Sequence, residues 1–529
     1  MNPEFEDALN GWKKFGNGTV EHKTSPDGNN YAVASQRVLP FDSLSQTFHL
    51  KKDNLYAFSA WLQVSNGEDA YIAAMFKTKT EIRTAGWVIA RQGCWTMLKG
   101  GFTLNISTPV EFYFETQNTT IDIWVDSVSL QPFTQKEWRF HQHRNIEKLR
   151  KSQVKFQVTD FEDNPIANAK ISLKQIKLAF PFGNAMSEAI IDDKAYQSWF
   201  TSRFKYTVFE NEMKWYSNEK YPRQENYSIP DAMLKFAHKH KITVRGHNIL
   251  WDDPRYTPSW VKKLPKRDVP EATERRINSI VKRYSGKVIH WDVINENLHF
   301  SQYEDKMGRN ASAVFLKKTH ELDKKALPFL NEFNTIERPR DSSVTAAKYL
   351  DKIKLIRKQG YLGPLGIGLE GHFAVPNLPY ARASIDMLAA TNLPIWITEL
   401  DVSHTQDESV YLEQAIRELH AHPAIQGILL WAAWKPPKGC WRMCLTDNDF
   451  NNLPTGDVVD KVLREWRHKD FVGTTDSGGY FTTSLFHGAY KARISHFSGK
   501  KSEKINEVFE VKPAMGDVDQ KTLHLRVHP

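Results

Sequence analysis

The hydrophobic positions in residues 1–134 come in short runs, many of them alternating, with turn residues between them. The runs are NYAVASQRV, LSQTFHL, LYAFSAWLQV, AYIAAMF, GWVIA, VEFYFET and IDIWVDSVSL, and the turns include PDGNN and NGED. Alternation with a period of two is typical of strands buried on one face, and many short strands in succession favour a sandwich. We therefore predict an N-terminal β-sandwich of the jelly-roll type.

Residues 135–175 change character twice. The stretch QKEWRFHQHRNIEKLRK is polar, basic and free of Gly and Pro, which predicts a connecting helix. VKFQVTD and AKISLKQI then flank the turn EDNP, which predicts a β-hairpin. We interpret this segment as a linker between two larger domains.

From residue 176 to residue 468, apolar or β-branched runs alternate with amphipathic segments such as DAMLKFAHKH, ERRINSIVKRY and VYLEQAIRELH. The runs are LAFPFGNA, KYTVFENE, ITVRGHNILW, VIHWDVINE, PFLNEFN, GIGLEGHF, PIWITELDV and GILLWAAW. Eight strands that alternate with helices predict a closed (β/α)8 TIM barrel. Residues 469–529 lose the helical period and contain a Gly-rich turn, so we predict a small C-terminal β appendage there.

Five of the barrel runs end in polar side chains, which are Glu210 and Asn211, His247, Asn295 and Glu296, His372, and Glu399 with Asp401. Such residues can simply turn into solvent where a strand ends. However, the C-terminal ends of barrel strands open onto the active face of the fold, and a buried carboxylate without a partner is costly. Five strands with this ending therefore favour one shared polar pocket.

Paired carboxylates among Trp and amide side chains indicate glycoside hydrolysis. This chemistry needs a protonated acid at the leaving oxygen and an ionised carboxylate near the anomeric carbon. Two nearby carboxylates push their pKa values apart, which provides both protonation states at one pH. Glu296 and Glu399 are the candidates because each stands at the end of a predicted strand, the fourth and the seventh.

The motifs at these positions resemble those of glycoside hydrolase family 10, the endo-β-1,4-xylanases. WDVINEN is similar to the acid/base motif of the family and ITELDV to its nucleophile motif, while FPFGNA, ENEMKW, VRGHNILW, GIGLEGHF and GILLWAAW match in order. GCWRMCLTDNDFNNLPTGDVVDK is most similar to plant members. NPEFEDALNGW and IDIWVDSVSL resemble carbohydrate-binding module family 22, which implies a sugar-binding module before the barrel.

The resemblance implies a retaining double displacement with Glu296 as acid/base, Glu399 as nucleophile and no cofactor for catalysis. It also implies that Asn295 hydrogen-bonds the sugar 2-hydroxyl, that His372 hydrogen-bonds the nucleophile, and that Asp401 orients His372. Retaining enzymes hold the two carboxyl groups about 5–5.5 Å apart, and inverting enzymes about 6.5–9.5 Å. Further residues implied at the sugar are Glu210, Asn211, Lys214, His247, Trp251, Trp431 and Trp441.

Other residues near these motifs have simpler interpretations. The alternative role for Lys214 is an ion pair with Glu210, without any contact to the sugar. The residues Trp215, Asp292 and Trp434 are expected in the core or in a structural role, and His404 in a loop.

Two positions depart from the family pattern. Glu370 in GIGLEGHF stands where many members have Gln, and an extra carboxylate there is expected to raise the pKa of the nucleophile or to shift the pH optimum. Asp252 stands where microbial enzymes commonly have His, so the resemblance does not determine the sugar contacts near Asp252.

Composition narrows the functional classes. The net charge of +9 comes from 71 basic and 62 acidic residues without a long basic run, so we expect a mixed solvated surface and no nucleic-acid partner. No apolar run is long enough to span a membrane, and no membrane contact is expected. The expected ligands are xylan and xylo-oligosaccharides, and the expected state is a monomer.

Location follows from the substrate rather than from a targeting signal. The start, MNPEFEDALNGW, lacks the basic and apolar regions of a signal peptide. Xylan nevertheless lies outside the cell, and N-x-S/T acceptors favour export. We therefore expect an extracellular or cell-wall protein.

Cysteine and acidic residues complete the predictions. The three cysteines exclude a disulfide scaffold; Cys440 and Cys444 can pair locally across GCWRMC, and Cys94 is expected to be a core thiol. No zinc-type spacing appears, and no metal is expected at the catalytic site.

The N-terminal module has its own candidate ligand contacts. The candidates for sugar-contacting aromatics are Trp61, Tyr71, Trp87 and Trp95. The candidate ligands of a structural calcium ion are Glu4, Glu6 and Asp126.

Three alternatives to a xylan hydrolase stay open. A transglycosylase would use the same residues, because a sugar acceptor can replace water at the covalent intermediate. A non-catalytic polysaccharide-binding protein would require loss of the carboxylate pair, and both members are present. A nucleic-acid binder would explain the net charge but lacks a motif.

Overall fold

The computed structural model describes residues 2–67, 69–467, 471–498, 501–513 and 521–527. In these ranges the chain forms an N-terminal sandwich, a helix, a parallel barrel and a smaller β unit. The predicted combination of an N-terminal β-sandwich with a (β/α)8 barrel is confirmed. None of the helices in these ranges is both long enough and apolar enough to cross a membrane.

The N-terminal sandwich consists of two antiparallel sheets, with strand orders β1-β4-β9-β6-β7 and β2-β3-β10-β5-β8. Its strands are β1 (Lys13–Phe15), β2 (Thr19–Thr24), β3 (Asn30–Ser35), β4 (Ser43–Leu50), β5 (Leu55–Val64), β6 (Ala70–Lys77), β7 (Ile82–Ala90), β8 (Thr96–Thr103), β9 (Thr108–Glu115) and β10 (Ile123–Phe133). Alternate residues point inward, so that the rings of Phe58 and Phe76 lie 4.9 and 5.0 Å from that of Phe112.

Helix α1 (Gln135–Arg150) connects this sandwich to the barrel. Thr134 and Glu137 form a capping box that satisfies free backbone N–H groups at its start. The side chains of Trp138 and Gln142 each donate a hydrogen bond of 2.7 Å to the buried carboxylate of Glu418 in the barrel. Strands β11 (Lys151–Thr159) and β12 (Lys170–Leu178) follow the helix.

The barrel closes through parallel pairing from β13 to β18, then to β20 and β21 and back to β13. Its strands are β13 (Phe182–Met186), β14 (Tyr206–Phe209), β15 (Thr243–Trp251), β16 (His290–Asn295), β17 (Leu327–Glu332), β18 (Gly366–Leu369), β19 (His372–Phe373), β20 (Ile395–Val402) and β21 (Ile425–Leu430). Short β19 continues the sixth run beside β20, and each predicted run overlaps its strand.

The helices of the barrel region lie between these strands. They are α2 (Lys194–Arg203), α3 (Trp215–Asn218), α4 (Ser228–Lys239), α5 (Ser259–Lys262), α6 (Val269–Tyr284), α7 (Gln302–Met307), α8 (Ala311–Leu322), α9 (Ala346–Lys358), α10 (Leu378–Ala389), α11 (Glu408–Ala421) and α12 (Pro454–Trp466). Trp215 and Trp434 are buried, as expected for core residues.

The C-terminal strands β22 (Phe471–Thr474), β23 (Tyr480–Phe486), β24 (Gly488–Ser498), β25 (Lys501–Val511) and β26 (Lys521–Arg526) do not form an independent appendage. They pair with β11 and β12 in two sheets, β23-β11-β26 and β22-β12-β24-β25. The division into a linker at 135–175 and an appendage at 469–529 is therefore corrected. An isolated hairpin is marginal in water, and the two chain segments together bury one small core.

The cysteines gave one correct and one wrong prediction. Cys440 and Cys444 form a disulfide. Cys94 is exposed rather than buried, because it lies in the turn between β7 and β8 and not on an inward-facing strand position.

Candidate active site

A cavity of about 430 Å³ lies at the C-terminal ends of the barrel strands. Its lining contains eleven of the twelve residues predicted for the site, namely Glu210, Asn211, Lys214, His247, Trp251, Asn295, Glu296, His372, Glu399, Trp431 and Trp441. The twelfth, Asp401, lies behind His372, with its Oδ2 3.1 Å from the imidazole Nδ1. Polar residues from distant parts of the sequence therefore meet in one place, as the strand endings predict.

Glu399 lies on β20 with positively charged groups around a buried carboxylate. Its Oε1 accepts a hydrogen bond of 3.0 Å from Asn331 and lies 3.8 Å from His247 Nε2, and its Oε2 lies 3.6 Å from His372 Nε2. Burial alone would raise the pKa of Glu399, but His247, His372 and Lys214 together hold it below its ordinary value. This carboxylate is therefore ionised at neutral pH.

His372 is held in a chain of charges that leads away from Glu399. Asp401 contacts its Nδ1, and the Arg442 guanidinium lies 3.4 Å from the other oxygen of Asp401. Burial lowers the pKa of His372, but the carboxylates of Asp401, Glu370 and Glu399 raise it well above its ordinary value. The imidazole is thus a cation beside the predicted nucleophile.

Glu296 directly follows β16 and adopts a left-handed backbone conformation with φ of 59°. Such a conformation is uncommon for a side chain of this size and is often found where a residue is aimed into a functional site. Its Oε1 lies 3.3 Å from the amide nitrogen of Asn295. Burial, the charge of Glu332 and the charge of Glu399 raise the pKa of Glu296 to about 8. This carboxyl group therefore carries a proton at neutral pH.

A second polar chain stands behind Glu296. Glu332 at the end of β17 accepts a hydrogen bond of 2.6 Å from His299, whose other ring nitrogen lies 2.9 Å from Asp341. Although burial lowers the pKa of His299, these two carboxylates raise it to about 9. An imidazolium therefore weakens, without cancelling, the effect by which the charge of Glu332 raises the pKa of Glu296.

Asn331 connects the two predicted catalytic carboxylates. Its amide nitrogen lies 2.9 Å from Asn295 Oδ1, 3.0 Å from Glu399 Oε1 and 3.1 Å from Glu370 Oε1. Asn295 in turn contacts Glu296. In PFLNEFN the apolar residues of the strand are followed by Asn331 and Glu332, just as polar residues follow the other strands, and this signal could have identified both.

Glu370 is a third buried carboxylate beside Glu399. Its Oε2 lies 3.3 Å from His372 Nε2, and potential ligand atoms of Glu370, His372 and Glu399 lie within 4.8 Å of one another. Burial and the charges of Glu399 and Glu296 raise the pKa of Glu370 well above its ordinary value. The nearby cations favour the charge on Glu399 and the proton stays on Glu370, so the pKa of the predicted nucleophile lies below its ordinary value despite the extra carboxylate.

Aromatic and basic side chains form the rest of the wall. Lys214 does not pair with Glu210; its Nζ lies 4.4 Å from the ring centroid of Trp251 and 5.6 Å from that of Trp431. Glu210 instead contacts Lys435 at 2.5 Å, a residue that the sequence reasoning missed. Tyr216, Arg255, Tyr256, Phe333 and Lys435 also line the cavity without having been predicted.

Asp292 has the structural role that was expected. It binds Arg245 at 2.7 Å and His247 Nδ1 at 2.9 Å, and all three side chains are buried.

Two other residues named in the sequence analysis lie away from this ion pair. His404 is exposed in a loop beside Glu408, as expected. Asp252 is buried and accepts a hydrogen bond from the backbone N–H of Tyr303, and burial raises its pKa to about 7.

A wider groove of about 1010 Å³ continues from the cavity and shares Glu210, Asn211, Lys435 and Trp441 with it. Trp441 is 61% exposed, and its ring stands edge-on to His372 at 5.2 Å. The disulfide on either side of Trp441 closes the short loop that carries it. A polymer can therefore extend along this groove past the paired carboxylates.

The acidic residues suggested for calcium do not form a comparable cluster. In the described ranges, the group of three His, Cys, Asp or Glu side chains with ligand atoms within 4.8 Å is the one at Glu370. Glu4 and Asp126 instead accept hydrogen bonds from Ser127, and Glu6 accepts one from Asn30. The calcium prediction gains no support from this arrangement, and melting temperatures measured with calcium and with a chelator would test it.

Comparisons with known proteins agree with this geometry. The sequence pattern of glycosyl hydrolase family 10 matches residues 172–453, more than half of the chain, and that of a carbohydrate binding domain matches residues 1–121. Endo-1,4-beta-xylanase 5-like of Arabidopsis thaliana is 41% identical over 465 residues, which cover 86% of this chain and 81% of that protein. Endo-1,4-beta-xylanase 4 of the same plant is 38% identical over 472 residues, covering 85% and 82%. The chain belongs to glycosyl hydrolase family 10 and carries an N-terminal carbohydrate binding domain.

Proposed function

We propose that this protein is a retaining endo-1,4-β-xylanase that cleaves the backbone of plant cell-wall xylan. The observation that carries the proposal is the opposite protonation of two carboxyl groups in one cavity: the pKa of Glu399 is lowered, and that of Glu296 is raised to about 8. A retaining glycosidase needs these two states at the same pH. The similarity to plant enzymes named endo-1,4-beta-xylanases supports the choice of substrate.

In the first step the ionised Glu399 attacks the anomeric carbon while Glu296 gives its proton to the leaving glycosidic oxygen. The bond to the leaving sugar breaks and an ester to Glu399 forms. In the second step Glu296, now ionised, takes a proton from water, whose oxygen attacks the same carbon and releases Glu399. His372 and Lys214 stabilise the negative charge of Glu399 before attack and after release.

The remaining wall residues suit a chain of pentose rings. Trp251, Trp431 and Trp441 offer faces and edges for the apolar sides of the sugars, and the hydroxyl groups meet Glu210, Asn211, Lys214 and Lys435. We assign the wider groove to further sugar units, because it shares the residues Glu210 and Asn211 with the cavity. Asn295, held by Asn331, is assigned to the sugar 2-hydroxyl.

Replacement of the nucleophile is the main test. Glu399→Ala is expected to abolish release of short xylo-oligosaccharides from arabinoxylan or glucuronoxylan while the protein still binds the polysaccharide. Normal hydrolysis by this variant would disprove the assignment of the nucleophile. Proton NMR of the first products tests retention separately: the β-anomer is expected first, and early α-anomer would show inversion and contradict a separation of about 5–5.5 Å between the carboxyl groups.

Transglycosylation uses the same covalent intermediate, so product sizing with a labelled xylo-oligosaccharide acceptor decides its share. Labelled products longer than the acceptor that outnumber the hydrolysis products would assign the protein to that reaction. We also propose a monomer that acts outside the cell, where its substrate lies, without a nucleic-acid partner. Light scattering and a salt-dependent gel shift with random DNA test the first and last of these points.

A further inference from the structure

The N-terminal carbohydrate binding domain is docked on the barrel through two of its predicted sugar-contacting aromatics. Trp87 donates an indole hydrogen bond of 2.8 Å to the backbone oxygen of Pro339. Tyr71 hydrogen-bonds Asp351 on α9, and the Lys348 ammonium lies 3.6 Å from the centroid of its ring. Both side chains are therefore engaged with the barrel.

Pro339 belongs to residues 334–341, which follow β17 and Phe333 at the catalytic end of the barrel; we call this segment the bridging loop. One end of the bridging loop reaches the nucleophile side of the site. The Glu337 carboxylate accepts hydrogen bonds of 3.2 and 2.9 Å from the backbone N–H groups of Gly371 and His372. Glu337 thus fixes the backbone of His372, whose imidazole contacts Glu399.

The other end of the bridging loop reaches the acid/base side. Asp341 accepts hydrogen bonds from His299 at 2.9 Å and from Asn334 at 2.8 Å. His299 holds Glu332, and the charge of Glu332 is among the causes that raise the pKa of Glu296. One short segment therefore contacts the supporting groups of both catalytic carboxyls.

The contact with Trp87 lies between these two ends. Within the barrel, Tyr380 of α10 donates a hydrogen bond of 3.2 Å to Thr335 in the bridging loop. On the side of the N-terminal domain, Trp87 and Arg340 border an open groove of about 710 Å³, so this part of the loop is not packed on all sides. Residues 334–337 of the bridging loop are buried, whereas Arg338 and Arg340 are exposed, so the indole hydrogen bond restrains the open part of the loop around Pro339.

We propose that the N-terminal domain is a positioning element of the active site, in which Trp87 holds the bridging loop and, through Glu337 and Asp341, both catalytic carboxyls. This inference rests on the proposed glycosidase function. It differs from polysaccharide targeting, because it predicts that the domain affects cleavage of substrates too short for it to bind.

The direction of the pH effect follows from the charges around Glu296. Groups that face it come from several elements: Lys214, Asp253, Arg255, Glu332, Glu370 and Glu399. If the bridging loop loosens, Asp341 leaves His299 and the pKa of His299 falls, so the imidazolium that faces Glu332 loses its proton at a lower pH than before. The pKa of Glu296 then rises further, and the proton needed for the first step is retained to higher pH.

The test compares full-length Trp87→Phe with Trp12→Phe on a chromogenic aryl β-xylobioside. Trp12 is a matched control because its indole also donates to a backbone oxygen, that of Asn2 at 2.9 Å, but inside the N-terminal domain. We expect Trp87→Phe to lower kcat about threefold to tenfold at nearly constant KM, the size of one lost hydrogen bond. The alkaline limb of kcat/KM is expected to move to higher pH, and Trp12→Phe should change neither quantity.

Asp341→Asn tests the far end of the same path without touching the interface. It should move the alkaline limb in the same direction, and the double variant with Trp87→Phe should change less than the sum of the two single variants. Equal kcat values and pH profiles for Trp87→Phe and Trp12→Phe, or strict additivity with Asp341→Asn, would overturn the inference. An unmodified protein without activity on the xylobioside would instead refute the proposed function.

Discussion

Replacement of Glu370 by Gln gives the most informative single change at the active site. Glu370 and Glu399 have oxygens within 4.8 Å of each other, and only one of them is favoured as an anion by the surrounding cations. Two unit charges at that distance repel by about 3.5 kcal/mol or more at an effective dielectric constant of about 20. This repulsion is large enough to keep Glu370 neutral while Glu399 is ionised.

Gln has the shape of a protonated Glu and stays neutral at every pH. Glu370→Gln keeps an acceptor for Asn331 and preserves the neutral state, so kcat/KM at neutral pH should stay within about threefold of the original, the scale of one altered hydrogen bond. A requirement for the ionised form would instead appear as a loss of a hundredfold or more.

The pH profile adds a second, independent readout. The pKa of Glu370 is raised, so its neutral form is present below that pKa and is lost as the pH rises through it. Ionised Glu370 would compete with Glu399 for His372 and Asn331. In the original protein the slope of the alkaline limb of kcat/KM should approach that for the loss of two protons, one from Glu296 and one from Glu370. In the variant it should correspond to the loss of one proton.

The assay is a set of kcat/KM values for an aryl β-xylobioside between neutral and alkaline pH, with the melting temperature recorded at each pH. Glu399→Gln serves as the comparison, since it changes the carboxylate that the proposed mechanism uses in its ionised form and should abolish activity. A large loss for Glu370→Gln at neutral pH, or an alkaline slope identical to that of the original protein, would refute the reasoning.

Three further predictions follow from the same geometry. In the proposed mechanism Glu296 acts in its protonated form, so activity should fall as the pH rises through about 8, and Glu332→Gln should move this limb to lower pH by removing a charge that raises the pKa of Glu296. A pH profile of kcat/KM that does not move would contradict this. Cys440→Ser opens the loop beside His372 and should lower kcat/KM, up to about a hundredfold, with little change in melting temperature. Arg245→Met leaves the buried carboxylate of Asp292 with His247 as its remaining charged partner and should lower the free energy of unfolding by about 3–5 kcal/mol in urea titrations.

The sequence identified much of the site because strand endings are local features. The run that contains Glu399 is apolar until its C-terminal end, and in a parallel barrel all such ends face the same side. The polar residues that follow the runs therefore had to meet, and the cavity contains Glu210, His247 and Glu296 together with Glu399. Cys440 and Cys444 were likewise close enough in sequence for their pairing to be foreseen.

The second partners of these residues could not be predicted in the same way. Asn331 was missed although its run ends like the others, because its importance lies in touching Asn295, Glu370 and Glu399 at once. Lys435 reaches Glu210 from a loop after β21. Distances between side chains on different loops depend on the closed barrel, not on the local pattern.

The sequence by itself determined the order and type of the elements, the barrel, and the residues at its catalytic end, since hydrophobic periodicity and strand endings are set within short segments. Only the tertiary structure decided which carboxyl keeps its proton, because the pKa of Glu370 and that of Glu399 depend on the charges and burial around them. It also decided that β11 and β12 join the C-terminal strands and that Trp87 faces the barrel. Those contacts join residues hundreds of positions apart, and no local pattern specifies them.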